Sequence, residues 1–105
     1  MKYVVTVRGR LKSADEREAQ VVHDAIVARL DPVGQPLGAL GHMPMLNPQD
    51  RREFQAMDTW NSLEGIQQFM TSSADPGSAI GSMFEAPPEV TIWAEAGWTS
   101  FMREG

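Results

Sequence analysis

The sequence predicts an α+β sandwich, a four-stranded antiparallel sheet with two helices packed on one of its faces. Three observations carry that expectation. The chain has 105 residues, which is room for one hydrophobic core and no second. Its apolar residues recur first at two-residue spacing, then at three to four, then in two more strand-like runs, then at three to four, and finally at two, so the elements read strand, helix, strand, strand, helix, strand. A strand–helix–strand crossover is right-handed in nearly every sheet, and that handedness puts both helices on the same side.

Lys2 to Arg10 alternates Tyr3, Val5 and Val7 with Val4, Thr6 and Arg8, a β-branched run that reads as a first strand, apolar on nearly both faces. Ser13 stands three residues before Glu16, the spacing of a capping box, so a helix is expected to open there. Its buried stripe is read as Ala19, Val22, Ala25, Ile26 and Leu30, with Arg17, Gln20, Asp24 and Arg29 in water. Pro32 disfavours helical geometry at Asp31 and is expected to end the helix.

Pro32 to Gly41 holds two prolines and three glycines and reads as a surface connection. Leu40 to Leu46 follows as a short strand, placed at a sheet edge because Pro44 has no N–H to give to a ladder. Asn47-Pro48-Gln49-Asp50 is turn chemistry. The third strand, Arg52 to Trp60, sets Phe54, Ala56, Asp58 and Trp60 on one face. Asn61, with Glu64 three residues on, opens a second helix whose buried stripe is Leu63, Ile66, Phe69 and Met70. After Asp75-Pro76-Gly77 there is room for one short helical turn, near Ala79 to Phe84, and Val90 to Trp98 forms the last strand.

No repeat or linker divides the chain, so residues 1–105 make a single domain. The arrangement is the split βαβ, ferredoxin-like sandwich. Its second sheet face, carrying Val4, Thr6, Met57 and Trp93, is too apolar for water, and a two-fold pairing with another copy is expected to cover it.

Composition excludes several functions. With nine basic and 14 acidic residues the net charge is −5, which gives no support to binding a phosphate backbone. There is no cysteine, so disulfides, thiolate metal sites and cysteine nucleophiles are ruled out. The N-terminus lacks a signal-peptide core and no run is long enough to span a membrane, so a cytoplasmic protein starting at Met1, with no membrane partner, is expected. Gly-rich phosphate loops, serine nucleophile elbows and dinucleotide fingerprints are all missing.

The candidate chemistry rests on two residues. His42 lies on the second strand, sharing a face with Leu40, Pro44 and Leu46, and a neutral imidazole there could take a phenolic proton. Asp58 lies among apolar neighbours on the third strand, where a carboxylate either pairs with a base or acts as one. The plainer alternatives are a sheet-edge histidine bonded to backbone and a carboxylate bonded to the amides of the next helix. His23 is read as solvated on the flank of the first helix. Two isolated histidines among scattered carboxylates make no metal-ligand spacing. Trp60, Phe54, Tyr3, Trp93 and Trp98 are candidates for the wall of an aromatic-binding cavity, with ordinary core packing as the alternative. Arg8, Arg10 and Lys12 could converge on one anionic group, or form a solvated strand end.

The stretch Glu53-Phe54-Gln55-Ala56-Met57-Asp58-Thr59-Trp60-Asn61-Ser62-Leu63-Glu64-Gly65, with an acidic residue two before a tryptophan and then a capped helix, resembles the antibiotic biosynthesis monooxygenase-like group of dimeric α+β barrels. The resemblance implies a homodimer whose sheets face each other, with a small-molecule pocket in each subunit between sheet and helices. Haem-degrading relatives carry an axial histidine on the helix after the tryptophan and an asparagine on the first strand. Here those places hold Phe69, Met70 and Thr6, and only Trp60 fits that branch. The expected function is therefore oxygenation of a hydrophobic, aromatic or polyketide-like molecule without metal or cofactor, with His42 and Asp58 handling protons and Trp60, Phe54, Tyr3 and Trp93 binding substrate. A non-catalytic dimer binding a hydrophobic metabolite, and an isomerase or cyclase on the same scaffold, are the alternatives.

Overall fold

The computed structural model describes residues 2–105. The elements are β1 (Tyr3–Arg10), α1 (Glu16–Gly34), a short 3-10 turn (Gln35–Leu37), β2 (Ala39–Asn47), β3 (Asp50–Trp60), α2 (Leu63–Met70), α3 (Pro76–Gly81) and β4 (Glu89–Ala94). The sheet runs β2-β3-β1-β4 with every neighbouring pair antiparallel. This is the expected α+β sandwich, with the Pro44 strand at an edge.

Val5 and Val7 of β1 and Phe54, Ala56 and Trp60 of β3 are buried on one sheet face. Ala19 and Ile26 of α1, Ile66 and Phe69 of α2, and Ile80 of α3 pack into the same cluster. All the helices therefore cover one face of the sheet.

Local details differ from expectation where longer-range contacts outweigh short-range signals. α1 is capped by Asp15, whose carboxylate accepts from the amides of Arg17 and Glu18, while the Ser13 hydroxyl folds back on the Asp15 backbone. The helix passes through Pro32 to Gly34. Proline removes one helical hydrogen bond, but both Leu30 and Gly34 are buried, and a Cβ on residue 34 would stand 3.3 Å from Ala39 and 3.5 Å from Trp60. Packing against the sheet holds that last turn.

α2 is capped one residue later than expected, by Ser62, whose hydroxyl accepts from the Gly65 amide at 2.9 Å. The short helix starts earlier than expected. Asp75, at φ 51°, accepts from the Ser78 amide, and Pro76 takes the first helical position, where its missing N–H costs nothing. β4 stops at Ala94 instead of Trp98 because it pairs only with β1, whose first residue, Tyr3, stands opposite Ala94. Beyond it the chain runs exposed and carries Trp98 with it.

Candidate functional site

α1 and α2 leave a space against the sheet that their side chains do not fill. The result is a cavity of about 380 Å3 walled by Phe54, Ala56 and Trp60 of β3, Ile26 and Leu30 of α1, and Phe69 of α2. Trp60 and Phe69 meet with ring centroids 5.3 Å apart and planes inclined by 54°, a tilted aromatic contact that gives the cavity a rigid wall. A small apolar ligand with a flat ring system suits these surroundings.

Polar side chains enter the wall from the end of α1, at Asp31 and Gln35, and from the sheet. His42 and Asp58 are directly opposed across the β2–β3 ladder. Two-residue alternation turns both toward the helices, where each lines the cavity. His42 Nδ1 is bonded to Asp58 Oδ1. Because a carboxylate only accepts, this contact places a proton on Nδ1.

His23 adds to that pair. α1 brings its Nε2 to 2.8 Å from His42 Nε2, and its Nδ1 lies 2.9 Å from Asp24 Oδ1. The ring also leans on Phe54, centroid to centroid 6.0 Å. His23 was expected on a solvated flank, and it is instead a cavity-lining residue. The buried stripe of α1 runs through positions 19, 23, 26, 27, 30 and 34, while Val22, expected inside, is exposed. The intervals from 23 to 26, 27, 30 and 34 are helical repeats, so the spacing already contained this signal.

The aromatic candidates separate by strand parity. Phe54 and Trp60 line the cavity. Tyr3 packs at the margin of the core without reaching it. Trp93, opposite Val4 across the β1–β4 ladder, points to the outer sheet face and donates from Nε1 to Thr6 Oγ1 at 3.1 Å. Trp93 therefore faces away from a molecule held between sheet and helices, whereas Tyr3, on the inner face, lies outside the residues that line the cavity.

The basic strand end is likewise no anion site. Arg10 donates to Asp50 at 2.9 Å and Glu53 at 3.0 Å, so its charge is matched within the chain. These bonds hold the Arg10 guanidinium even more firmly protonated than usual and keep the Asp50 carboxyl below the ordinary carboxylate range.

No sequence model of a protein family and no curated protein sequence matches the chain. Solved structures do. The cofactor-independent oxygenase SnoaB of Streptomyces nogalater superposes with a TM-score of 0.74 over 92% of this chain and 95% of its own, at 12% identity. The chain has the fold of the antibiotic biosynthesis monooxygenases. A Bordetella bronchiseptica protein provisionally assigned to that group shares the monooxygenase fold at a TM-score of 0.69, 14% identity, and 90% and 97% coverage of the two chains. Rv0793 of Mycobacterium tuberculosis shares it at 0.60, 16% identity, and 95% and 100% coverage. At these identities the monooxygenase fold carries over, and the chemistry has to be argued from this chain's own cavity. Among the described residues no helix is long and apolar enough to cross a membrane.

Proposed function

We propose that the chain is a homodimeric enzyme that oxygenates a hydrophobic, aromatic or polyketide-like small molecule without metal or cofactor. The observation that carries this reading is the His42–Asp58 pair set into the wall of a cavity with aromatic and aliphatic sides. The likeness in fold to SnoaB, a cofactor-independent oxygenase, supports the reaction class.

The cavity's aromatic walls, Phe54 and Trp60 foremost, hold the ring system and exclude water. The Asp58–His42 pair removes a proton from an acidic carbon or phenol of the substrate, leaving an electron-rich anion. That anion supplies the electrons to dioxygen. When a ring methylene becomes a carbonyl, one oxygen atom enters the product and the other leaves as water, and the four electrons of the methylene balance the four taken by dioxygen. The protein contributes the base, the orientation and the apolar surroundings.

Oxygen uptake with anthrone, a three-ring ketone with an acidic methylene, tests the reading with no cofactor added. Turnover is expected in the native protein, and loss of about a hundredfold or more in His42→Ala and Asp58→Ala, with folding retained by circular dichroism. If anthrone quenches tryptophan fluorescence without any oxygen uptake, the chain is a binding protein. Conversion to an isomer or cyclised product with no oxygen consumed would instead place it among isomerases.

A further inference from the structure

The contact between His23 and His42 has an unusual geometry. The rings are inclined by only 20° and their centroids lie 5.1 Å apart, while Nε2 meets Nε2 at 2.8 Å. Face-to-face rings would keep their atoms at van der Waals spacing, about 3.5 Å or more. Here the centroid separation is what a 2.8 Å contact becomes when the radius of each five-membered ring is added at either end. The rings are therefore head to head and nearly coplanar, with each Nε2 aimed at the other.

Proton counting turns that geometry into a statement about chemistry. His42 Nδ1 is held by Asp58 and His23 Nδ1 by Asp24, so two neutral rings with both Nδ1 protonated would leave two bare lone pairs facing each other. A third proton between the Nε2 atoms turns that repulsion into an N–H···N hydrogen bond. Three hydrogen bonds then join four groups, Asp58, His42, His23 and Asp24, with one proton in each. A zinc ion does not fit in the proton's place, because two zinc–nitrogen bonds of about 2.0–2.1 Å at the tetrahedral angle hold their nitrogens about 3.3 Å apart.

The chain of bonds also runs from inside to outside. Asp58 lines the cavity, and its Oδ2 has no hydrogen bond among the described residues. The His23 side chain is only 12% exposed and lines both the cavity and a neighbouring groove, into which Asp24, 63% exposed, also opens. Resting on the functional reading above, we propose that His23 is a positioning residue: its hydrogen bond to His42 Nε2, anchored in turn by Asp24, holds the His42 ring in place against Asp58 and spreads the charge shared by the two rings away from the cavity.

The charged neighbours are few. Asp31 of α1 lines the same cavity, and Glu16 of α1 with Arg51 of β3 line the groove, bonded to each other. Among the residues lining the cavity, α2 contributes only Phe69, which carries no charge.

Nitrogen-15 NMR of histidine-labelled protein tests this contact without any substrate. Scalar coupling between the two Nε2 atoms across their hydrogen bond is expected, together with a change in the His23 nitrogen chemical shifts on Asp58→Asn, although that residue never touches His23. Two rings with no coupling between them, and no response of His23 to Asp58→Asn, would overturn the proposal. Oxygen uptake with anthrone then separates it from the reading on which it rests. Coupled rings in a protein that takes up no oxygen would sink the oxygenase and leave the proton chain supported. An active protein should lose at least about tenfold in kcat at unchanged KM in His23→Gln, and unchanged kcat in that variant would overturn the positioning role.

Discussion

At Gly65 the backbone of α2 lies so close to the end of the 3-10 turn that a Cβ there would stand 1.8 Å from the carbonyl oxygen of Leu37. Nothing flexible can yield, because the obstacle is backbone. The approach locks the helix that supplies Phe69 to the cavity onto the segment that follows α1. Gly65→Ala is expected to force the two apart and destabilise the fold by about 1–3 kcal/mol or more. Urea unfolding followed by circular dichroism reads the loss, and an unchanged midpoint would refute the close approach.

Trp60 makes a second demand on the same region. It is buried, tilted against Phe69 and in the cavity wall, so Trp60→Ala removes both packing and wall and is expected to cost about 3–5 kcal/mol. Trp60→Phe keeps a ring in place and should preserve folding while enlarging the cavity. A thermal melt and ligand binding measured on the two variants separate the two roles. If Trp60→Ala melts with the native protein, the indole is not part of the core.

How much of this was legible in the sequence depends on the range of the interaction involved. Strand parity in β3 set Asp58 among Phe54, Ala56 and Trp60, and Pro44 marked the edge strand, because both signals are local. Helix starts were misplaced by one or two residues where two capping groups compete, Ser13 against Asp15 and Asn61 against Ser62. The extension of α1 past Pro32 depends on packing against Trp60, which is distant in sequence, as well as on nearby Ala39. His23 was missed for a different reason. Its stripe was assigned through Val22 and Ala25, although positions 23, 26, 27, 30 and 34 also repeat helically, and only the fold shows which stripe meets the sheet. Its contact with His42, 19 residues on, is tertiary and has no sequence signature.

Acid should weaken the fold through two exposed carboxylates. Hydrogen bonds from Arg10 and the Arg52 amide hold Asp50 below the usual carboxylate range, and those from Arg51 do the same for Glu16. A carboxyl lowered in the folded state contributes stability that is present above its unfolded pKa, about 4, and disappears as pH falls through the lower folded value. Melting temperature is therefore expected to hold above pH 5 and to fall below pH 4. Glu16→Gln and Asp50→Asn should each flatten the acid limb, by a small amount because the pairs are exposed and screened by salt. Identical acid limbs in native and variant proteins would mean that these pairs contribute nothing.

The outer face of the sheet decides how many chains make the working unit. Met43 stands opposite Met57 across β2–β3, and Val4 stands between Thr59 and Trp93 on the neighbouring ladders, so the face carries a band of apolar side chains with no helix over it. Trp93 is 57% exposed and Met43 49%. The Trp93 N–H is already bonded to Thr6, which leaves the rest of the indole as apolar surface with no remaining polar demand. Such a band favours burial against a like face, and two-fold pairing of identical sheets provides one without new sequence. Light scattering at micromolar concentration is expected to give the mass of two chains. Trp93→Glu would put a charge on the outer face of each chain and should lower the mass to that of one chain, with secondary structure retained. A monomeric mass for the native protein would refute the pairing and leave Trp93 and Met43 without a partner.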